Sequence, residues 1–286
     1  MVDLSLLAQL VAYADCGTLS AAAAQLHTSQ PAVTRAMKRL EDDLGLILFT
    51  RSKNRIALTP TGEMAVHYAR RVLTEAEEFE THLRAYERSL HTITVGFCAP
   101  VPQIVLTPLL SSVFDGMTIS ADMKDDADFL ERLHDGTYQL IVTHLPPADT
   151  VDLHAVKCGH EDLFLSLPVS HPLAFSPKVG LEHLAGETVL LLSRIGFWMD
   201  SVHAKTRKTR YLMQTERTAI TEIAANSPYP IFQSGYFIAR GETIPGRISV
   251  PLADDVCHTD YYLVCLRRNA AKYRALFSRI NEHSIA

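Results

Sequence analysis

From Thr18 to Gly45 the chain reads TLSAAAAQLHTSQPAVTRAMKRLEDDLG, and few folds accommodate that run. Ser29 offers a hydroxyl oxygen to an orphan amide one turn ahead, and Pro31 falls in the first turn, where its missing N–H costs nothing. A helix is predicted to start there. Val33, Met37, Leu40 and Leu44 then recur at spacings of three and four as one apolar stripe. Gln30, Thr34 and Lys38 follow one another at i+4 on another face, with Pro31 and Arg35 beside them. One face packs and one face reads. Ahead of this helix, Thr18 caps another that runs to Leu26, in which Ala21, Ala22 and Ala23 leave little bulk against a crossing partner. Leu7, Leu10, Val11 and Ala14 supply the stripe of a first helix covering both. Two short helices with a tight break, the second bearing a polar and cationic edge, outline a helix-turn-helix DNA reader.

After Gly45 comes LILFTRSKNRIALTPTGE, in which two short apolar runs, Leu46 to Phe49 and Ile56 to Leu58, flank a loop holding Arg51, Lys53 and Arg55. This reads as a wing whose cations face phosphate or enter a minor groove. The basic character is local, because the whole chain has a formal net charge of -5. The candidate DNA contacts are therefore Thr18, Ser20, Ser29, Gln30, Pro31, Thr34, Arg35, Lys38, Arg51, Lys53 and Arg55.

The run AAAAQLHTSQPAVTRAMKRLEDDLGLILFTRSKNRIALTPTGE resembles the N-terminal domain of LysR-type transcriptional regulators. The resemblance rests on SQPAVT at the recognition-helix start, LExxLG at its end, LFxR in the wing and LTPTG at the entry to a linker helix. It is close over about the first sixty-five residues; beyond them the chain agrees in length and layout more than in particular residues. The resemblance implies an α/β chain overall: a winged helix-turn-helix, a long linker helix for dimerisation, and a two-lobed α/β effector domain resembling type 2 periplasmic binding proteins. The expected partners are double-stranded DNA, a small-molecule effector, a second copy of the chain in a dimer extending to a tetramer, and RNA polymerase, all in the cytoplasm.

The linker follows from the residues as well. Thr59 and Pro60 form a cap and first helical position, after which Ala65, Tyr68, Val72, Ala76, Phe79, Leu83, Tyr86 and Leu90 advance by threes and fours among charged neighbours. At about 1.5 Å per residue the helix spans roughly 45 Å. Its narrow apolar seam suits pairing with a second copy, with Tyr68, Val72, Phe79, Leu83 and Tyr86 as the candidate contacts. The division expected is 1–59 for the DNA reader, 60–90 for the linker and 91–286 for the effector domain, its first lobe about 91–160 and 266–286 and its second about 161–265.

Five cysteines with no CxxC pair point to reduced thiols. The first residues carry Asp3 and no basic run, so they read as an amphipathic helix, and no apolar stretch reaches the length of a membrane span.

Beyond residue 91, strand-like and helix-like segments alternate, which predicts parallel sheets covered by helices. TITVGF, MTISADM, YQLIVT, TVLLL, YLMQT and YYLVCLRR read as strands, the last returning to the first lobe. Ligands in such folds sit where strand ends meet helix starts. Those places hold Ala99, Pro100 and Val101, then Thr143 and His144, then Ser193, Arg194, Phe197 and Trp198. Here the chain departs from its relatives. Many carry a hydroxyl at the helix start where this chain has PVP, and a small residue in the second-lobe turn where it has RIGFW. The usual late segment AGLGIALLP is replaced by NSPYPIFQSGYFIAR. With fewer hydroxyls to hold a carboxylate, the expected effector is partly apolar or aromatic, or is held mainly by backbone amides and Arg194, or there is none.

No GxSxG, HExxH, P-loop or GxGxxG pattern occurs, and neither a catalytic group nor a cofactor nor a metal ion is expected. His154, Cys158 and His160 in LHAVKCGH have no fourth ligand placed by spacing, so they do not read as a metal site. Cys98 reads as an inert buried thiol. A ligand carrier or small-molecule enzyme with a helical extension is the competing class, but it has no use for a basic reading face, a cationic wing and a paired linker in that order.

Overall fold

The computed structural model describes residues 2–52, 55–124, 126–148 and 151–282. They form two compact units, Met1–Arg84 and Ala85–Ala286.

In the first unit, α1 (Leu4–Cys16) starts at Asp3, whose side chain accepts from the Ser5 amide, and ends at Gly17 with φ 70. α2 (Leu19–Gln25) is capped by Thr18, and α3 (Gln30–Leu44) by Ser29. The turn between them is tight because His27 takes up φ 50 and the Thr28 amide reaches back to the Ala23 carbonyl at 2.9 Å. Val33, Met37 and Leu40 are buried as the periodicity requires, whereas Leu44 is exposed. Gly45 ends the helix in a left-handed turn directly after it, and the core is completed by Leu48 and Phe49 returning from the wing. On α1 the deeply buried residues are Leu6, Leu10, Ala12 and Tyr13, so the packed face is rotated from the Leu7, Val11 and Ala14 stripe, which is half-buried. Ala22 and Ala23 pack and Ala21 is exposed.

The wing is the antiparallel pair β1 (Phe49–Ser52) and β2 (Arg55–Leu58). Two motif residues tie it down. The Glu41 carboxylate accepts from the Leu48 and Phe49 amides at 2.8 and 3.0 Å, joining α3 to the wing strand. Thr59 caps α4 (Pro60–Ser89), accepting from Gly62 at 3.0 Å while donating to the Ile47 carbonyl at 2.9 Å. A Cβ on Gly62 would stand 2.2 Å from the Leu48 carbonyl oxygen, so only glycine lets the linker start this close to the wing.

The second unit alternates as its sequence predicts. Its elements are β3 (Thr92–Phe97), α5 (Pro100–Val113), β4 (Thr118–Met123), α6 (Phe129–His134), β5 (Leu140–Thr143), β6 (Leu153–Pro168), β7 (Thr188–Leu192), α7 (Trp198–Lys205), β8 (Arg210–Gln214), α8 (Arg217–Ala225), β9 (Ile231–Ser234), α9 (Gly235–Ala239), β10 (Arg247–Pro251), β11 (His258–Leu266) and α10 (Arg274–Glu282). β3 runs parallel to β4 and β5, and β7 parallel to β8 and β9. The strand order is β4-β3-β5-β11-β6-β9-β7-β8, with β10 also on β6. β6 is the bridge between lobes. Residues 153–162 pair with β11, and 163–168 pair with β9 and β10. β11 pairs with β5 as well, so YYLVCLRR returns to the sheet of the first lobe as its strand reading expects, and the strand begins at His258, ahead of the lobe boundary drawn at 265/266. The chain therefore crosses back between β10 and β11. β9 and α9 are not legible in NSPYPIFQSGYFIAR, which alternates at neither period, and β10 follows it as RISVP. Among the described residues no single helix is long and apolar enough to cross a membrane.

Candidate functional site

The first candidate surface is the outer face of α3. Its hydrophobic residues turn inward, which leaves Gln30, Pro31, Arg35 and Lys38 exposed together. Arg35 and Lys38 form no ion pair among the described residues, whereas Arg39 stands 3.8 Å from Asp43 one turn on. Thr34 is half-buried, and its hydroxyl donates to the Gln30 carbonyl at 3.0 Å. Ser29 and Thr18 keep their helix ends in place by accepting from Ala32 at 3.4 Å and Ala21 at 3.2 Å. Ser20 is exposed on α2. Arg51 and Arg55 sit at the turn end of the wing ladder, opposite Ile56 and Ser52. Lys53 and the side chains of Arg51 and Arg55 lie outside the described residues.

The second is the seam of α4. Tyr68, Val72, Phe79, Leu83 and Tyr86 are all exposed, Phe79 at 67% and Leu83 at 58%. Val66 and Ala69 on the opposite face close the core of the first unit. Single exposed apolar residues are ordinary; a row of aromatic and aliphatic ones along one helix marks an interaction surface.

The third lies between the lobes of the second unit. A cavity of about 510 Å³ is lined by Pro100, Val101 and Arg194, by Trp198 from α7, and by residues of α8, β9 and α9. Its volume is in the range of small-molecule sites. Of the nine candidates from the sequence, Pro100, Val101, Arg194 and Trp198 line it, and the other five do not. Ala99 is fully buried at the start of α5. Thr143 turns its hydroxyl to the Leu145 carbonyl at 2.9 Å, and the Ser193 amide is taken by Gln214 at 2.8 Å. His144 stacks on Phe197, ring centroids 3.9 Å apart, and bonds Asp126 at 2.6 Å. Phe197 fills the junction: its amide donates to the Cys98 carbonyl at 3.0 Å, and a Cβ on Gly196 would lie 1.8 Å from that same oxygen.

Sequence reasoning missed the floor of this cavity. Glu161 on β6 is 4% exposed and lines it. Its carboxylate takes a short hydrogen bond from the Tyr261 hydroxyl. Burial pushes its pKa above the usual carboxyl range, although the Tyr261, Ser234 and Trp198 donors favour the charged form. The Trp198 indole N–H stands near both that carboxyl and the Tyr261 hydroxyl without making a regular hydrogen bond to either. Nothing in HEDLF distinguishes Glu161 from a surface acid; its burial comes from the passage of β6 between lobes.

A second unexpected group is Cys98, Asp126 and His144, whose ligating atoms lie within 4.8 Å of one another. Burial, then the Asp126 charge, pushes the Cys98 thiol well above its ordinary pKa, so it is a poor nucleophile as it stands. His154 meets Phe277 edge-on at 4.7 Å while Cys158 is buried and His160 exposed, so these three share no site.

Residues 4–63 match the bacterial regulatory helix-turn-helix proteins of the lysR family, and residues 87–284 match the LysR substrate binding domain. The RuBisCO operon transcriptional regulator of Allochromatium vinosum is 30% identical over 177 residues, 59% of this chain and 57% of that protein. The HTH-type transcriptional regulator TfdS of Cupriavidus pinatubonensis is 31% identical over 205 residues, covering 65% of this chain and 70% of the relative. With the first of these, the chain thus spans little more than half of the relative's length. Full-length OxyR from Pseudomonas aeruginosa, in a variant form, shares the fold with TM-score 0.51 at 23% identity, over 98% of this chain and 100% of the other.

Proposed function

We propose, since the chain belongs to the LysR family of bacterial transcriptional regulators, that it reads specific DNA through α3 and the wing and adjusts that reading when a small molecule enters the cavity between its lobes. The observation that carries this reading is the exposed row Gln30, Pro31, Arg35 and Lys38 on a helix whose other face is buried. The relatives are named as regulators rather than enzymes, which supports the same class.

Gln30, Pro31 and Thr34 reach base edges, while Ser29, Arg35, Lys38 and Arg51 hold phosphates, assisted by Thr18, Ser20, Lys53 and Arg55. The α4 seam pairs two copies, which sets two readers on a two-half-site operator, and pairs of dimers make the tetramer. We assign 1–59 to reading, 60–90 to pairing and 91–286 to sensing. RNA polymerase is the further partner and the cytoplasm the place of action.

Selection from sheared genomic DNA of the source cell tests this reading. The purified chain should enrich fragments sharing an inverted pair of half-sites. Enrichment that tracks fragment length alone would contradict it.

A further inference from the structure

The cavity between the lobes holds a carboxyl group with no counter-charge. Glu161 is met by Tyr261, Ser234 and Trp198, all neutral, and among the described residues no Lys, Arg or His forms an ion pair with it. Two arginines stand on the cavity wall. Arg217 is engaged by Glu242 at 2.9 Å and lies over the Phe237 ring at 3.4 Å, and Arg194 is exposed. A carboxylate taken out of water without a cation is unfavourable, and burial accordingly raises the pKa of Glu161. Beside it the Trp198 N–H is buried, near Glu161 and the Tyr261 hydroxyl, so the indole holds its place against the acid.

Much of the remaining wall is apolar or aromatic, beside a polar part that includes Thr215, Glu216, Gln233 and Glu242. Val101, Ile104, Leu163, Phe232 and Phe237 contribute to the apolar part along with the indole of Trp198. Aromatic faces around one acid are the surroundings an ammonium group prefers, because the ring quadrupole and the carboxylate attract it together. An anionic head would meet Glu161, Glu216 and Glu242 on the same wall.

We propose that the ligand of this cavity is an organic amine, an ammonium head on an apolar or aromatic body, with Glu161 as its counter-ion and the Trp198 indole beside it. The proposal rests on the reading of the cavity as the effector site. The ammonium replaces the missing charge partner.

The test uses the full chain and three probes of similar shape: 2-phenylethylamine, 2-phenylethanol and 3-phenylpropanoate. Calorimetric titration measures affinity, and the emission of Trp198, the single tryptophan, reports whether the cavity is the place of binding. The amine should bind at least tenfold more tightly than the alcohol, and the carboxylate more weakly than both. Glu161→Gln, which keeps the shape, should bring amine and alcohol to equal affinity. Equal affinities in the unaltered chain, or no binding by any probe, would overturn the proposal without any variant having to fold. Preference for the carboxylate with a change in Trp198 emission would overturn the amine assignment and leave the cavity as a ligand site. Tight amine binding by a chain that selects no DNA would instead leave the ammonium site and overturn the regulator.

Discussion

A single methyl at Gly196 would be felt by both lobes. The residue sits at φ +62, and a Cβ there would press on the Cys98 carbonyl that accepts from Phe197. A left-handed alanine costs about 1–2 kcal/mol before any clash. Gly196→Ala should therefore lower unfolding stability by about 2 kcal/mol or more, read from the denaturant midpoint; an unchanged midpoint would show that the junction opens freely. At Glu161 the sign runs the other way from an ordinary surface acid. Its folded pKa is raised above the model-peptide value of 4.5, so its favourable contribution is complete below that pH and is lost as the pH rises through the folded value. Glu161→Gln should remove this part of the pH dependence and leave the variant relatively more stable at neutral pH, as urea midpoints across pH would show. A wild-type profile identical to that of the variant would mean the acid is already ionised at little cost. On the reading face, Gln30→Ala should relax preference at one base step, whereas Lys38→Ala should weaken all sequences and flatten the salt dependence. Identical specificity and salt slope in the two variants would refute the division of roles.

At the scale of elements, the parts legible in the sequence are those whose signals are contiguous. SQPAVT carries its cap, its proline and its first apolar residue within six positions, and α3 begins at Gln30 as those residues require. TVLLL coincides with β7 because a run buried on both faces needs no partner to be recognised. The misses have one cause. Glu41 reads as one more charge among Asp42 and Asp43, and its hydrogen bonds to the wing depend on where the chain returns. β6 spans 16 residues in two environments, so neither period nor composition separates the buried Glu161 from the exposed His160. Five of the nine expected cleft residues do not line the cavity, and two of these, Phe197 and His144, stack on each other at the junction, a packing that no local signal announces. The α4 seam was legible throughout, and its consequence can be tested. Replacing Phe79 and Leu83 together with Asp places like charges on a paired surface, and sedimentation should then show monomers with little affinity for paired half-sites. Unchanged sedimentation would place the seam against something other than a second copy.

For the whole molecule, the two lobes are joined by β6 and by the return before β11, and we propose that a ligand held between them makes different contacts in two arrangements of the lobes. Such a ligand shifts DNA engagement by the ratio of its affinities for the two states and by no more. That coupling has meaning only if the first unit reads DNA. The most direct measurement is genome-wide mapping of bound DNA in cells carrying the unaltered chain or a variant with Arg35→Ala and Lys38→Ala. The unaltered chain should occupy discrete sites sharing an inverted pair of half-sites, and the variant should lose them while remaining folded and paired. Occupancy of the same sites by both, or of no discrete sites by either, would contradict DNA reading through α3.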